Sequence, residues 1–232
     1  MPKILAPKIL AIDSSHAHCS VALCLDDVID VRETREDRQH AKQMLPMIEQ
    51  LLQTHNVQLK DLDAIAVVSG PGSFTGLRIG AGVAQGLAFG AGLPIVGVSS
   101  LAIMAMKAWQ QTGHRHLLVC LNAREDEVYS AAYVVEEGDA LLMGSEKVGA
   151  PAATTFASVG PEYEWYAVGD GWQHATLLQS ASGLRLKQGG TDCVSDAETL
   201  CHLAQARLSK GLGSAPADAL PVYLKEQMDY QG

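Results

Sequence analysis

The sequence is poor in basic residues and in aromatic residues. Its 232 residues include 17 Lys and Arg against 26 Asp and Glu, which gives a formal net charge of −9. Nucleic-acid binding depends on basic side chains that neutralise phosphates, so the chain alone is not expected to hold RNA or DNA. Aromatic residues make up only 5% of the chain, which leaves Ala, Val, Leu and Ile to build the core.

Patterns for disulfides, zinc, secretion and membrane insertion are also missing. The five cysteines include no C-x-x-C pair and their number is odd, which argues against a zinc site and a disulfide framework. The N-terminus shows no signal-peptide pattern, so we expect a cytoplasmic protein with buried thiols. Residues 79–106 lack charge, but six glycines and Pro94 interrupt them. This predicts a helix, a turn and a strand rather than a membrane span.

Strand and helix patterns repeat along the chain in the same order. Hydrophobic periodicity predicts three strands followed by a helix, a strand, a helix, a strand and a helix, and this order occurs twice. Such a repeat predicts an α/β protein of two similar lobes, each a mixed sheet flanked by helices. We place the N-terminal lobe at residues 1–112 and the C-terminal lobe at 113–215. The tail, residues 216–232, is expected to pack back onto the N-terminal lobe.

The segment SGPGSFTGLRIGAG, residues 69–82, joins a predicted strand to a predicted helix. A glycine-rich turn at a helix N-terminus can bind phosphate through free N–H groups. The segment nevertheless lacks the lysine of a P-loop and does not match G-x-G-x-x-G. Two interpretations stay open: a weak anion site, and a turn whose glycines let two backbones approach closely.

Small residues form two stripes along the helix predicted at 74–91. The first stripe consists of Gly76, Gly80, Ala84 and Ala88, and the second of Gly82, Gly86 and Gly90. An offset of two residues is about 200° around a helix, so the stripes lie on nearly opposite sides. Each glycine inside a helix costs roughly 1 kcal/mol relative to alanine, so close packing must compensate. One side is expected to lie on the sheet, and the other to receive a helix of this chain or of another chain.

Several segments resemble the TsaB (YeaZ) family of bacterial proteins. They are ILAIDSS, CSVAL, HAKQMLPMIEQLL, VVSGPGSFTGLRIGAGVAQGLA, PIVGVSSL, NAREDEVY and PVYL. The resemblance implies the duplicated actin/Hsp70/sugar-kinase fold, which is ribonuclease H-like, in agreement with the repeated order of elements. It also implies a role in making threonylcarbamoyladenosine (t6A) at adenosine 37 of tRNAs that read ANN codons. In this role the chain is expected to be a non-catalytic, activating subunit.

The resemblance also implies a set of partners. They are a TsaD-like enzyme that transfers the threonylcarbamoyl group, a TsaE-like ATPase, and a second copy of the chain when it is alone. We expect the chain to contact tRNA only through the complex. We expect no membrane partner and no required cofactor. Helices 40–54 and 74–90 are expected to form the interface, although the sequence leaves open which side of the second helix faces outward. The predicted contact residues are His40, Met44, Met47, Ile48, Leu51, Gly82, Val83, Gly86 and Leu87.

The sequence leaves two enzymatic alternatives: an ATPase or small-molecule kinase of the actin-like fold, and an M22-like metallopeptidase. Candidates for a weak or vestigial adenine-nucleotide site are Asp13, Ser14, Ser15, Asn122, Gly169 and Gly171. Asn122 stands where the family usually has Asp, and the acidic residues 125–127 would repel phosphates, so any such site is expected to be weak or lost. The metal-binding relatives implied by the resemblance carry two histidines in the pattern H-x-x-x-H. Here the corresponding segment runs from His40 to Met44. A metallopeptidase is disfavoured because the thioether of Met44 is a poor ligand for hard or borderline metal ions. No catalytic residue and no metal ligand is therefore assigned.

Overall fold

The computed structural model describes residues 6–26, 28–34, 40–156, 159–187, 189–190 and 192–224. Contacts between residues divide the chain into two compact units. Of the described residues, the first contains those up to Ser100 together with Ser195–Val222, and the second contains those of Leu101–Val194 together with Tyr223 and Leu224. Each unit is built on one five-stranded sheet.

The sheet of the first unit has the order β3-β2-β1-β4-β5. Its strands are β1 (Ile9–Asp13), β2 (Cys19–Leu25), β3 (Val28–Thr34), β4 (Ala64–Gly70) and β5 (Ile95–Ser99). The first three strands form an antiparallel meander, and β4 and β5 extend the sheet in parallel with β1. Every residue of β1 is buried, as is typical of a central strand with helices on both faces of its sheet.

Three helices belong to the described part of the first unit, and the two that the sequence predicts at 40–54 and 74–91 have those bounds. They are α1 (His40–Thr54), α2 (Phe74–Ala91) and α5 (Ala197–Ser209), while α3 (Ser100–Thr112) starts at the boundary between the units. Ser73 caps α2, because its Oγ accepts a hydrogen bond from the N–H of Gly76, and Gly92 ends the helix with φ +70°. Asp196 caps α5 by accepting from the N–H of Thr199 at 2.7 Å. Caps and periodicity are local signals, so the sequence predicts these helices well.

The second unit repeats the architecture of the first. Its strands are β6 (His116–Asn122), β7 (Val128–Glu136), β8 (Asp139–Gly149), β9 (Trp165–Val168) and β10 (Leu186–Lys187), and its further helix is α4 (Ala175–Ser182). The sheet order β8-β7-β6-β9-β10 corresponds to β3-β2-β1-β4-β5, with the same antiparallel and parallel pairs. The predicted duplicated fold, two lobes each with a mixed sheet flanked by helices, is confirmed.

The compact units differ from the predicted lobes 1–112 and 113–215 in the placement of two helices. From Leu101 onward, α3 belongs to the second unit. Helix α5 lies in the first unit, where it packs on β1 and β2 and the N–H of Ala197 donates to Ser20 Oγ at 3.0 Å. Order along the chain does not reveal that a C-terminal helix returns to the first sheet, because this contact joins residues far apart in sequence.

Residues 214–222 lie along the first unit. Ser214 exchanges two backbone hydrogen bonds of 2.9 Å with Ile95 of the edge strand β5. The side-chain amide of Gln85 donates to the carbonyl of Ala219 at 3.2 Å. Residues 225–232 of the predicted tail lie outside the described residues. Within the described part of the chain, no helix combines the length and hydropathy needed to cross a bilayer.

Candidate protein-docking surface

The glycine-rich turn before α2 packs against the turn between β1 and β2. A Cβ on Gly76 would overlap the carbonyl oxygen of Ser14, and one on Gly80 would overlap Ser14 Oγ. The N–H of Ser73 donates to the carbonyl of Ser15 at 2.7 Å, and Ser14 Oγ donates to the carbonyl of Gly76 at 2.8 Å. The space beside the first turn of α2 is thus occupied by the chain's own backbone. Of the two interpretations of this segment, the structure supports the close approach of two backbones.

Asp13, a predicted nucleotide-site residue, is buried at the end of β1 and accepts three hydrogen bonds. Its Oδ1 accepts from the N–H of Ser15 at 2.8 Å and from Ser15 Oγ at 2.6 Å. Its Oδ2 accepts from Ser195 Oγ at 2.5 Å. Both carboxylate oxygens are therefore engaged by the chain itself. Sequence reasoning missed Ser195, because it lies 182 positions from Asp13 and no motif joins them.

His16 extends this network through its ring nitrogen Nδ1. Its Nδ1 lies 2.8 Å from Ser15 Oγ and 3.1 Å from Ser195 Oγ. The two hydroxyls also lie 3.0 Å from each other, so Asp13, Ser15, His16 and Ser195 form one hydrogen-bonded cluster. His16 Nε2 is buried without a hydrogen-bond partner among the described residues. The described residues also contain no group of three or more His, Cys, Asp or Glu that could hold a metal ion.

The predicted nucleotide-site residues of the second unit also meet at one turn. The N–H of Asn122 donates to Asp170 Oδ1 at 2.8 Å. A Cβ on Gly171 would lie 2.8 Å from the carbonyl carbon of Cys120, and one on Gly169 would overlap the carbonyl oxygen of Cys120. Close packing therefore accounts for both glycines, and nucleotide binding at this turn stays a prediction.

The five cysteines are all free and buried. Burial, with a smaller contribution from the charge of Asp13, raises the pKa of Cys19 to about 12. Burial also raises the pKa of Cys120 and of Cys201. Since the thiolate is the reactive form of cysteine, these side chains act as small core residues.

Helices α1 and α2 present a surface that we call the α1–α2 face. Its exposed residues include Lys42, Leu45, Glu49, Arg78, Gly82, Gly86, Phe89 and Gly90. A Cβ added at Gly82, Gly86 or Gly90 meets nothing within 4 Å. The opposite stripe, which starts at Gly76, is buried. The structure thus answers the question that the sequence left open, because the stripe that contains Gly86 faces outward.

A groove of about 420 Å³ lies between the two helices of this face. Apolar side chains that line it are Leu45, Ile48 and Leu52 of α1, Val57 and Leu59 of the following segment, and Leu87 of α2. Polar lining residues are Glu49, Gln53, Asn56 and Gln58. Apolar contact area beside polar side chains is the usual anatomy of a protein interface.

The predicted contact residues divide into two groups. Gly82 and Gly86 are exposed, and Val83 and Leu87 are half-buried beside them. Four residues of α1 are 0–7% exposed and belong to the core of the first unit: Met44, Met47, Ile48 and Leu51. This corrects their assignment as contacts, because the apolar side of α1 faces its own sheet, although Ile48 also lines the groove. The side chain of His40 lies outside the described residues.

Arg78 is the only charged residue between Asp63 and Lys107 in the sequence. Its guanidinium lies over the ring of Phe74, 3.8 Å from the ring centroid, and both residues are exposed. A guanidinium over an aromatic ring is attracted by the negative face of that ring. The one charge on the outer side of α2 is therefore held in a defined position.

Two units with the same strand order define a duplicated α/β protein with one mixed five-stranded sheet in each unit. Its glycine turn is occupied by its own backbone, and two of its helices carry an open face with few charges.

The chain belongs to the TsaB family. It is 38% identical over 234 residues to an Escherichia coli K12 protein named "tRNA threonylcarbamoyladenosine biosynthesis protein TsaB", with 97% of each chain covered. A protein of the same name from Buchnera aphidicola of Schizaphis graminum is 38% identical over 71% of this chain and 79% of its own length. The structure of YeaZ from Pseudomonas aeruginosa superimposes with a TM-score of 0.85 at 36% identity, covering 94% of this chain and all of that chain (100%). A family model described as "TsaD: tRNA N6-adenosine threonylcarbamoyltransferase" matches residues 33–219. The predicted family is confirmed.

Proposed function

We propose that this chain is a non-catalytic subunit in the formation of t6A in tRNA, and that it binds and activates a TsaD-like transferase. The relatives at 38% identity carry t6A biosynthesis in their names. The observation that carries the proposal is the open glycine stripe of the α1–α2 face, where Gly82 and Gly86 leave room for a partner helix.

The buried sites support a non-catalytic role. In a phosphate-binding protein, a glycine turn at a helix N-terminus leaves space for the anion. Here the backbone of Ser14 and Ser15 occupies that space, and the carboxylate of Asp13 is engaged by three donors. Any binding of an adenine nucleotide is therefore proposed to be weak, and no cofactor is proposed to be required.

The α1–α2 face supports helix docking. Glycines on a helix surface allow a second helix to approach closely, since no Cβ separates the backbones. The groove beside Leu87 adds apolar area that a partner side chain can fill. A helix pair laid on this face would bury Leu45, which is 49% exposed.

The remaining partners of the proposed role follow from charge and resemblance. A net charge of −9 supports contact with tRNA through the complex rather than through this chain alone. A TsaE-like ATPase is proposed as a third component, in the cytoplasm. In the absence of the transferase, a second copy of the chain is proposed to occupy the α1–α2 face.

The substitution Gly86→Arg tests the proposal. A Cβ at Gly86 meets nothing within 4 Å, so the variant should fold, while its long charged side chain should block a helix from the face. We expect co-purification with the TsaD-like transferase to be lost, and t6A in tRNA to fall in cells that depend on this variant. Gly149→Arg is the matched control, because Gly149 also has open space but lies on β8 of the second unit.

Transferase binding by Gly86→Arg at the wild-type level would contradict docking on the α1–α2 face. Loss of binding by Gly149→Arg as well would show that the effect is not specific to this face. Circular dichroism and thermal unfolding of both variants separate a blocked surface from a misfolded chain.

A further inference from the structure

We propose that Arg78 and Phe89 select a second copy of this chain on the α1–α2 face, with Arg78 of each copy packed on Phe89 of the other. The inference rests on the proposed function in one respect, the use of this face for docking. It goes further by naming the two side chains that make the face complementary to itself.

Arg78 and Phe89 lie on the same side of α2. They are 11 residues apart, and 11 residues of an α-helix turn through about 1,100°, which is about 20° more than three full turns. Both side chains are exposed. Phe89 is 84% exposed, more than any other large hydrophobic residue in the described part of the chain. The cation and the ring therefore stand near opposite ends of one edge of the glycine stripe.

The glycine stripe is nearly symmetric about the middle of the helix. Gly82 and Gly86 stand two residues before and after Ala84, whereas Arg78 stands six before it and Phe89 five after it. Consider two α2 helices that pack antiparallel, related by a two-fold axis at the level of Ala84. Arg78 of one copy and Phe89 of the other then differ in height by about one residue, which is about 1.5 Å along the helix axis. A two-fold axis that reverses the helix keeps both residues on the same edge.

The chemistry of this pairing is complementary. Arg78 already stacks on Phe74 of its own chain at 3.8 Å. A planar guanidinium can stack on rings through both of its faces, so Phe89 of the second copy completes a sandwich around it. The last turn of α2 contains no basic residue, and the carbonyl groups at a helix C-terminus attract a cation. Each copy thus brings its only α2 charge to the end of the other helix that favours a positive charge.

A second copy satisfies this arrangement twice. In an interface with two-fold symmetry, contacts between two different residues occur in both directions, so the dimer holds two Arg78–Phe89 contacts. Gly82 and Gly86 bring the helices close enough for these side chains to reach across. The same contacts account for the exposure of a Phe ring on an outer helix face.

A double-mutant cycle on dimerisation tests the pairing. Arg78→Gln removes the charge and Phe89→Leu removes the ring but keeps an apolar side chain, and sedimentation equilibrium measures the dimer Kd of each variant and of the pair. We expect each single variant to raise the Kd about 25-fold, because two contacts of about fivefold each are lost. The double variant should be hardly weaker than either single one. Lys187→Gln, which removes an exposed charge from β10 of the second unit, should dimerise as the wild type does.

Additive effects in the cycle, unchanged dimerisation of the single variants, or a wild-type chain that stays monomeric would each overturn the pairing. Transferase binding is measured on the same proteins and reports on the proposed function separately. If Gly86→Arg loses the transferase while the cycle is additive, the docking face stands and only the Arg78–Phe89 contact fails. If Gly86→Arg keeps the transferase while the cycle is non-additive, the proposed function fails and the contact between copies stands.

Discussion

Helix α2 carries two stripes of small residues with the same spacing, and the structure gives them opposite environments. At Gly76 and Gly80, an added Cβ would overlap atoms of the β1–β2 turn. At Gly82 and Gly86, an added Cβ meets nothing within 4 Å. Glycine spacing therefore identifies where a helix can be approached closely. What approaches it is decided by the rest of the fold.

The largest effect is expected from Gly76→Ala. The new methyl group would overlap the carbonyl oxygen of Ser14, and backbone atoms on both sides cannot move aside without displacing β1 or α2. We expect the free energy of unfolding to fall by about 3 kcal/mol or more, or the chain to fail to fold. Urea denaturation followed by circular dichroism measures the change. A variant as stable as the wild type would remove the basis for the internal role of this stripe.

A second test compares neighbouring positions of α1. Met44 is fully buried, whereas Leu45 is 49% exposed on the α1–α2 face. Met44→Ala should lower the free energy of unfolding by about 2–5 kcal/mol, while Leu45→Ala should change it by less than about 0.5 kcal/mol. Thermal and urea unfolding of the two variants check this difference. Equal losses would mean that α1 is rotated from the orientation described.

On the open stripe, Gly86→Ala should act in the opposite direction from Gly76→Ala. With nothing within 4 Å of the new Cβ, only the backbone entropy of glycine changes. The free energy of unfolding should therefore rise by about 1 kcal/mol. The midpoint of urea unfolding reports the shift, and a loss of stability would show that the space beside Gly86 is filled.

The smallest effect on stability is expected from a thiol probe, Gly82→Cys. An exposed cysteine has a pKa of about 8.5 and is partly ionised at pH 8, whereas burial raises the pKa of Cys19 to about 12. Ellman's reagent at pH 8 should therefore label one thiol quickly in the folded variant and none quickly in the wild type. Raising the pH towards 9 should speed the labelling of the new thiol, because its thiolate fraction increases. Addition of the proposed partner should slow it.

The secondary structure and the duplicated fold follow closely from local features of the sequence. Helix α2 is bounded by a capping serine and a terminating glycine, and the apolar run of β1 marks it as a buried strand. Such signals involve residues close together in the chain, so the sequence alone is enough to recognise them. The segment SGPGSFTGLRIG likewise indicates the family, because a run of this length and composition is specific to it.

The assignments that needed correction depend on long-range contacts. The apolar periodicity of α1 shows that Met44 and Leu51 share one side, but only the sheet beneath them shows that this side faces inward. The hydrogen bond from Ser195 to Asp13 joins residues 182 positions apart. Neither residue type nor spacing carries that information.

Composition, periodicity and motif were sufficient to predict the class of fold, the family and the two stripes of small residues on one helix. The packing of the chain decided which stripe is filled by the β1–β2 turn, which residues of α1 and α2 stay exposed, and that α5 returns to the first sheet. The physical reason is the separation in sequence of the residues that interact. Helix and strand preferences are set by neighbouring residues, whereas burial and exposure depend on chain segments that meet only after folding.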